Sequence, residues 1–199
     1  MICRRPILTF AGLSTLLPLA VRADGADKAG GFVKSIGDRL VALINGPGAT
    51  GAKIVAMAQV LTADVDVDSI GRFCLGRYWR QATPEQQKQY LEAFRDVLVT
   101  NITSKLGRYQ GVKITMGRSH SKDEEAVVST RVERPNNPPV TVDWIVSNPG
   151  SSPKVVDVVA EGTSLRLTQR QDYASYLAHN NSNIDALITA MKNQISQND

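Results

Sequence analysis

Between residues 83 and 116 the chain reads TPEQQKQYLEAFRDVLVTNITSKLGRYQGVKITM, and the spacing of its apolar residues changes part-way along. Thr83, Pro84 and Gln86 supply an N-cap hydroxyl, a proline at the first helical position and a capping partner three residues after the cap. Tyr90, Leu91, Phe94, Val97, Leu98, Ile102 and Leu106 then recur at helical spacing as one broad stripe that stops at Gly107. Beyond Gly111 the period falls to two, with Val112, Ile114 and Met116 alternating with polar residues. Here the chain passes from helix to sheet.

Upstream, Phe32, Val33, Ile36, Leu40, Leu43 and Ile44 mark a helix over about 29–45, closed by Asn45-Gly46-Pro47-Gly48. A shorter helix fits 53–61, and a third starts near Asp68 with Ile70, Phe73 and Cys74 on one side. Downstream, Ala126 to Val132 is a β-branched run, Val140 to Val146 alternates, and Lys154 to Ala160 makes a fourth strand. Turn residues at 135–139 and 148–150 join consecutive antiparallel strands, and helices over about 168–179 and 183–195 close the chain. The predicted fold is α+β: helices on one face of a curved antiparallel sheet of four or slightly more strands.

The N-terminus sets the compartment. Arg4 and Arg5, an apolar stretch from Ile7 to Ala20, and Val21-Arg22-Ala23 have the order of a secretory signal peptide, predicted over 1–23, with one domain over 24–199. The stretch is shorter than the roughly 20 apolar residues of a membrane span. Arg-Arg-Pro-Ile-Leu matches a twin-arginine signal only incompletely, which favours general secretion. No cysteine follows the cut, which argues against a lipid anchor. Removing Arg4, Arg5 and Arg22 takes the net charge from +4 to +1, so the basic balance belongs largely to the leader and does not indicate nucleic acid. Cys3 leaves as well. Cys74 then stands alone on an apolar face, as a small buried hydrophobe rather than a nucleophile.

Catalytic patterns are missing from the sequence. His120 and His179 have no metal-ligand spacing, and there is no nucleophile elbow, paired-cysteine motif or zinc-protease helix. Gly46 to Lys53 departs from a phosphate loop, because Ala52 separates glycine from lysine and Pro47 lacks an N–H. Asp123-Glu124-Glu125 reads as a solvated hairpin tip. No cofactor is expected. What remains is apolar surface, including a predicted helix of about 22 residues, roughly 33 Å long, comparable to the hydrocarbon thickness of a bilayer.

One resemblance gives that surface a use. Phe73 to Gln86 (FCLGRYWRQATPEQ), followed by Tyr90 and Phe94, resembles the signature of the MlaC-like (toluene-tolerance) family of periplasmic phospholipid-binding proteins. Val142-Asp143-Trp144 and Asp157 to Leu165 (DVVAEGTSL), with Arg170 and Tyr173, resemble its second block. Pro153 departs from the tryptophan usual before Lys154. The resemblance implies a non-enzymatic carrier with an apolar cavity between helices and sheet that takes lipid tails. It also implies docking to an inner-membrane ABC transporter with a ring of lipid-binding domains and to an outer-membrane lipoprotein complex. The lipid-facing candidates are Phe73, Tyr78, Leu91, Phe94, Leu98, Val142, Trp144, Val158 and Leu165. Arg77 and Arg80 are expected to pair with an acid such as Glu161 rather than to bind a head group. A phospholipid and a polycyclic lipid such as a hopanoid remain open as cargo. So do two other classes: an enzyme on a cone-shaped α+β fold, and an interaction module with a filled interior.

Overall fold

The structure, a computed structural model, describes residues 20–104 and 106–196. Six helices and five strands follow in the order α1 (Ala20–Asn45), α2 (Thr50–Asp64), α3 (Val67–Leu75), α4 (Pro84–Thr103), β1 (Lys113–Lys122), β2 (Glu125–Glu133), β3 (Val140–Ser147), β4 (Lys154–Ala160), β5 (Thr163–Ser164), α5 (Leu165–His179) and α6 (Ile184–Ser196). Short 3₁₀ turns occupy Gly76–Arg80 and Leu106–Tyr109. The strands form one antiparallel meander in the order β1-β2-β3-β4-β5. The α+β class expected from the sequence is therefore observed, with β5 as a two-residue addition.

Local chemistry explains the element ends. Thr83 Oγ1 accepts from the Gln86 amide while Gln86 Oε1 accepts from the Thr83 amide, so the capping box closes at the start of α4. The other end differs from expectation: α4 stops at Thr103 instead of running through Leu106. Thr103 Oγ1 donates to the Val99 carbonyl (2.8 Å) and Ser104 Oγ to that of Asn101, and such side-chain bonds compete with the backbone ladder. Helix α5 starts three residues before its expected position because Ser164 caps it, accepting from the Leu167 amide. Helix α1 begins at Ala20, nine residues early. Most of the expected leader, residues 1–19, lies outside the described residues. The acidic hairpin tip is as expected: Asp123 turns the chain at φ 55° and Glu125 opens β2.

Two packing systems share the fold. In the first, α1 crosses the sheet, and Ala29 and Val33 bury against Ala126, Val128 and Val146. Gly30 permits this approach, since a Cβ there would lie 2.9 Å from Ser119 Oγ. The strand register puts Val128 beside Trp144, Thr130 beside Val142 and Val132 beside Val140, all on the face that α1 covers. The opposite face carries Ser129, Arg131, Thr141 and Asp143. Register shifts after Met116 and Ile145 bend the strands that bear this face. The second system is all-helical: Leu75, Tyr78, Tyr90, Phe94, Val97, Tyr173, Leu177 and Leu187 fill a core among α3, α4, α5 and α6.

Candidate functional site

Between the two systems lies a third cluster, and it is filled differently. Ile44, Met57, Leu61 and Val112 are buried there. Around them stand more apolar side chains that are only half covered, among them Leu40, Val41 and Leu43 of α1, Leu98, Val99 and Ile102 of α4, and Ile114 and Val132 of the sheet. The helical core has the reverse proportion, with buried members outnumbering partly covered ones. Apolar side chains that converge from three helices and a sheet without closing over one another leave surface that close packing would have removed. Leu98 and Val65 touch both this cluster and the helical core, so the cluster adjoins that core along α4 and the end of α2.

Its wall chemistry is hydrocarbon. Thr130, 2% exposed on the inward sheet face, accepts from Trp144 Nε1 (3.0 Å) and donates to the Val142 carbonyl (3.1 Å). Among the described residues, no buried side-chain nitrogen or oxygen lacks a hydrogen-bond partner. A wall whose polar atoms are already hydrogen-bonded accommodates alkyl chains without leaving a buried polar group unsatisfied. The rim at the α2 end is pinned by polar contacts. Arg39 Nη2 meets Asp64 at 2.6 Å, Lys154 Nζ donates to the Ala63 carbonyl, and Val65 bridges to Val155. Beside the cluster, a groove of about 240 Å³ runs between α1 and β1, lined by Lys34, Gly37, Asp38, Ile114, Thr115 and Met116.

The residues singled out from the sequence divide among these surroundings. Tyr78 and Phe94, 3% and 5% exposed, lie inside the helical core, and Leu91 and Phe73 pack on it half-buried. Leu98 is half-buried where core and cluster meet. Val142, Trp144 and Val158 are half-buried on the sheet, with Trp144 against the α1 packing system. Leu165 is 53% exposed at the start of α5. Met57, Leu61, Val99, Ile102 and Val132 were not singled out. Their periodicity marks them as apolar, but only the fold shows that their neighbours leave surface uncovered.

The expected arginine pairing is not observed. Arg77 Nη2 donates to the Tyr78 hydroxyl at 2.9 Å, and neither Arg77 nor Arg80 forms an ion pair with Glu161. Glu161 sits exposed in the β4–β5 turn at φ 49°, which points to a turn role for the position. The acid that organises this region is Asp157, which meets Ser164 and Arg166.

A family model described as MlaC protein matches residues 36–193. The chain belongs to the MlaC family. Among curated relatives in that family, the toluene tolerance protein ttg2D of Pseudomonas putida is 26% identical over 144 residues, covering 71% of this chain and 67% of the relative. The intermembrane phospholipid transport system binding protein MlaC of Haemophilus influenzae is 24% identical over 138 residues, covering 67% of this chain and 64% of the relative. The alignments thus span about two thirds of these relatives' length. A solved structure of the phospholipid-binding protein from Ralstonia solanacearum, in complex with a phospholipid, superposes with a TM-score of 0.74 at 24% identity, over 85% of this chain and 98% of that one. The MlaC-family chain and that protein share a fold.

Proposed function

We propose that this MlaC-family chain is a non-catalytic carrier of a phospholipid, with acyl chains seated against the half-covered cluster of α1, α2, α4 and the sheet. The observation that carries this reading is the contrast between a closed helical core and an adjoining apolar cluster that its own side chains leave open. Phospholipid transport and binding by the relatives support the same cargo class. Leu98, Val142 and Val158 belong to the proposed contact surface, whereas Tyr78 and Phe94 serve as packing behind it.

Physics makes such a carrier useful without a reactive group. Each methylene exposed to water costs about 0.8 kcal/mol, so two bare acyl chains cost on the order of 20 kcal/mol. An apolar cavity replaces one hydrocarbon environment with another, and transfer becomes nearly balanced. Direction is then set by partners. For these we propose the inner-membrane transporter with its lipid-binding ring and the outer-membrane lipoprotein complex, with the carrier in the periplasm after loss of residues 1–23. Among the described residues, no helix is long and apolar enough to cross a membrane.

Native mass spectrometry of gently purified protein, followed by extraction and identification of what is bound, tests the reading. A mass increment matching one phospholipid is expected. A hopanoid increment would replace the cargo, and a bare chain that takes up no phospholipid from vesicles would sink the carrier assignment.

A further inference from the structure

Five arginines are carried by α3, the following 3₁₀ turn and the first two turns of α5, elements that pack together: Arg72, Arg77, Arg80, Arg166 and Arg170. Four of them rest on aromatic rings. The guanidinium carbon of Arg72 is 5.3 Å from the centroid of Trp79 and that of Arg77 is 4.9 Å from that of Tyr78. Arg166 and Arg170 both stack on Phe73, at 4.9 and 4.8 Å. Arg170 also donates to the Phe73 carbonyl, and its guanidinium would lie 3.2 Å from a Cβ at Gly76, so the α5 arginines sit against the junction of α3 with the 3₁₀ turn that carries Arg77.

Stacking occupies the flat face of a guanidinium. Arg77, Arg166 and Arg170 each spend an in-plane donor on the protein, on the Tyr78 hydroxyl, the Val156 carbonyl and the Phe73 carbonyl, which fixes their orientation and leaves their remaining N–H groups and those of Arg72 for a partner. Within the set, only Arg166 has a carboxylate partner among the described residues, Asp157 at 3.4 Å. Arg72, Arg77 and Arg80 are exposed, and Leu165 and Leu167, 53% and 48% exposed, flank Arg166 on the same helix start. The patch combines exposed arginines with underlying aromatic residues, the residue types enriched at interface hot spots. Side chains already ordered on rings lose little further freedom when they meet a rigid array of carboxylates. A bilayer surface fits less well, because the aromatic rings lie beneath the arginines instead of projecting for insertion.

We infer that this arginine platform is a docking surface for an acidic face on a protein that exchanges cargo with the carrier. The inference rests on the carrier reading above, since a carrier must meet a donor and an acceptor. Its chemistry is that of carboxylates taken edge-on by pre-ordered guanidinium groups, with Leu165 and Leu167 exposed at its α5 border.

The test places a photo-crosslinking amino acid at Leu167, and at Thr115 on β1 as a control, in the full chain in its native host. A protein adduct is expected at Leu167 and not at Thr115. Arg72→Glu with Arg77→Glu should lower its yield by about tenfold or more, and lysines replacing the acidic residues of the captured protein should restore it. Arg72→Gln with Arg77→Gln serves as the second variant should charge reversal disturb folding, and loss of the adduct is again expected. Bound lipid, read by native mass spectrometry, should stay unchanged in both variants, which separates a docking failure from a failure of cargo binding. An adduct indifferent to these substitutions, or one not restored by the lysines, overturns the inference. So does platform-dependent sedimentation with phosphatidylglycerol vesicles in the absence of a protein adduct, which would assign the surface to membrane.

Discussion

Ser164 donates a 2.5 Å hydrogen bond to Asp157, tying the residue that caps α5 to the middle of strand β4. The other oxygen of Asp157 accepts from the amides of Val158 (2.8 Å) and Arg166 (3.1 Å), and the Arg166 guanidinium lies 3.4 Å from the oxygen that Ser164 bonds. One carboxylate, 5% exposed, therefore holds the strand, the turn and the helix start together. Replacing it with alanine leaves these donors without their acceptor.

Asp157→Ala is expected to cost about 3 kcal/mol, as for other broken buried charge pairs. Ser164→Ala removes one acceptor from the α5 N-terminus and is expected to cost about 1 kcal/mol. Urea unfolding of both variants checks the order, and equal effects would show that the carboxylate does not organise the turn.

Stability should fall at alkaline pH in two stages. Burial pushes the Cys74 thiol up to about 12 from an ordinary 9.0, with nearby Asp157 adding to the effect. Burial likewise raises the Tyr90 and Tyr173 phenols above their ordinary 10.0. In each case the folded state binds the proton more tightly than the unfolded chain. The contribution is complete below the unfolded pKa and is lost as pH rises beyond it, from about pH 9 for the thiol and about pH 10 for the phenols. The unfolding midpoint measured against pH should therefore be level near neutrality and turn down above about pH 9. Cys74→Ala should delay that turn by about one pH unit.

Gly71→Ala is expected to destabilise the protein. A Cβ there would lie 2.9 Å from Leu91 Cδ2 and 3.2 Å from the Phe94 ring, inside the helical core. Overpacking of this kind typically costs about 1–3 kcal/mol, against a gain of up to about 1 kcal/mol from helix propensity. A thermal melt showing a stabilised variant would mean that Leu91 moves aside freely.

Leu98→Trp distinguishes a lipid contact from plain packing. At the boundary of the open cluster, tryptophan should cover surface that cargo would otherwise cover, so bound lipid falls and the lipid-free form loses no stability. Wild type should lose thermal stability on delipidation, because ligand stabilises only the form that binds it, and the variant should not. Melting curves for both proteins, before and after lipid removal, give the comparison. Equal destabilisation in both states with lipid content unchanged would return Leu98 to the core.

The sequence by itself determined the element types and their order, because those rest on local chemistry: the capping box at Thr83 and Gln86, the stripe from Tyr90 onward, and the switch to a period of two after Gly111. Element ends were less legible where side chains bond back to nearby backbone, as Thr103 and Ser104 do at the end of α4. Periodicity could not separate Phe94 from Ile102, since both are apolar residues on one face of α4. Only the tertiary structure places the first in a closed helical core and the second in a cluster left half-covered. The arginine platform was equally hidden, because Phe73 and Arg170 lie far apart in the chain and meet only when α5 packs against α3. Apolar pattern is a property of each segment, but cavities and surface patches depend on what neighbouring segments leave uncovered, and that is decided by packing.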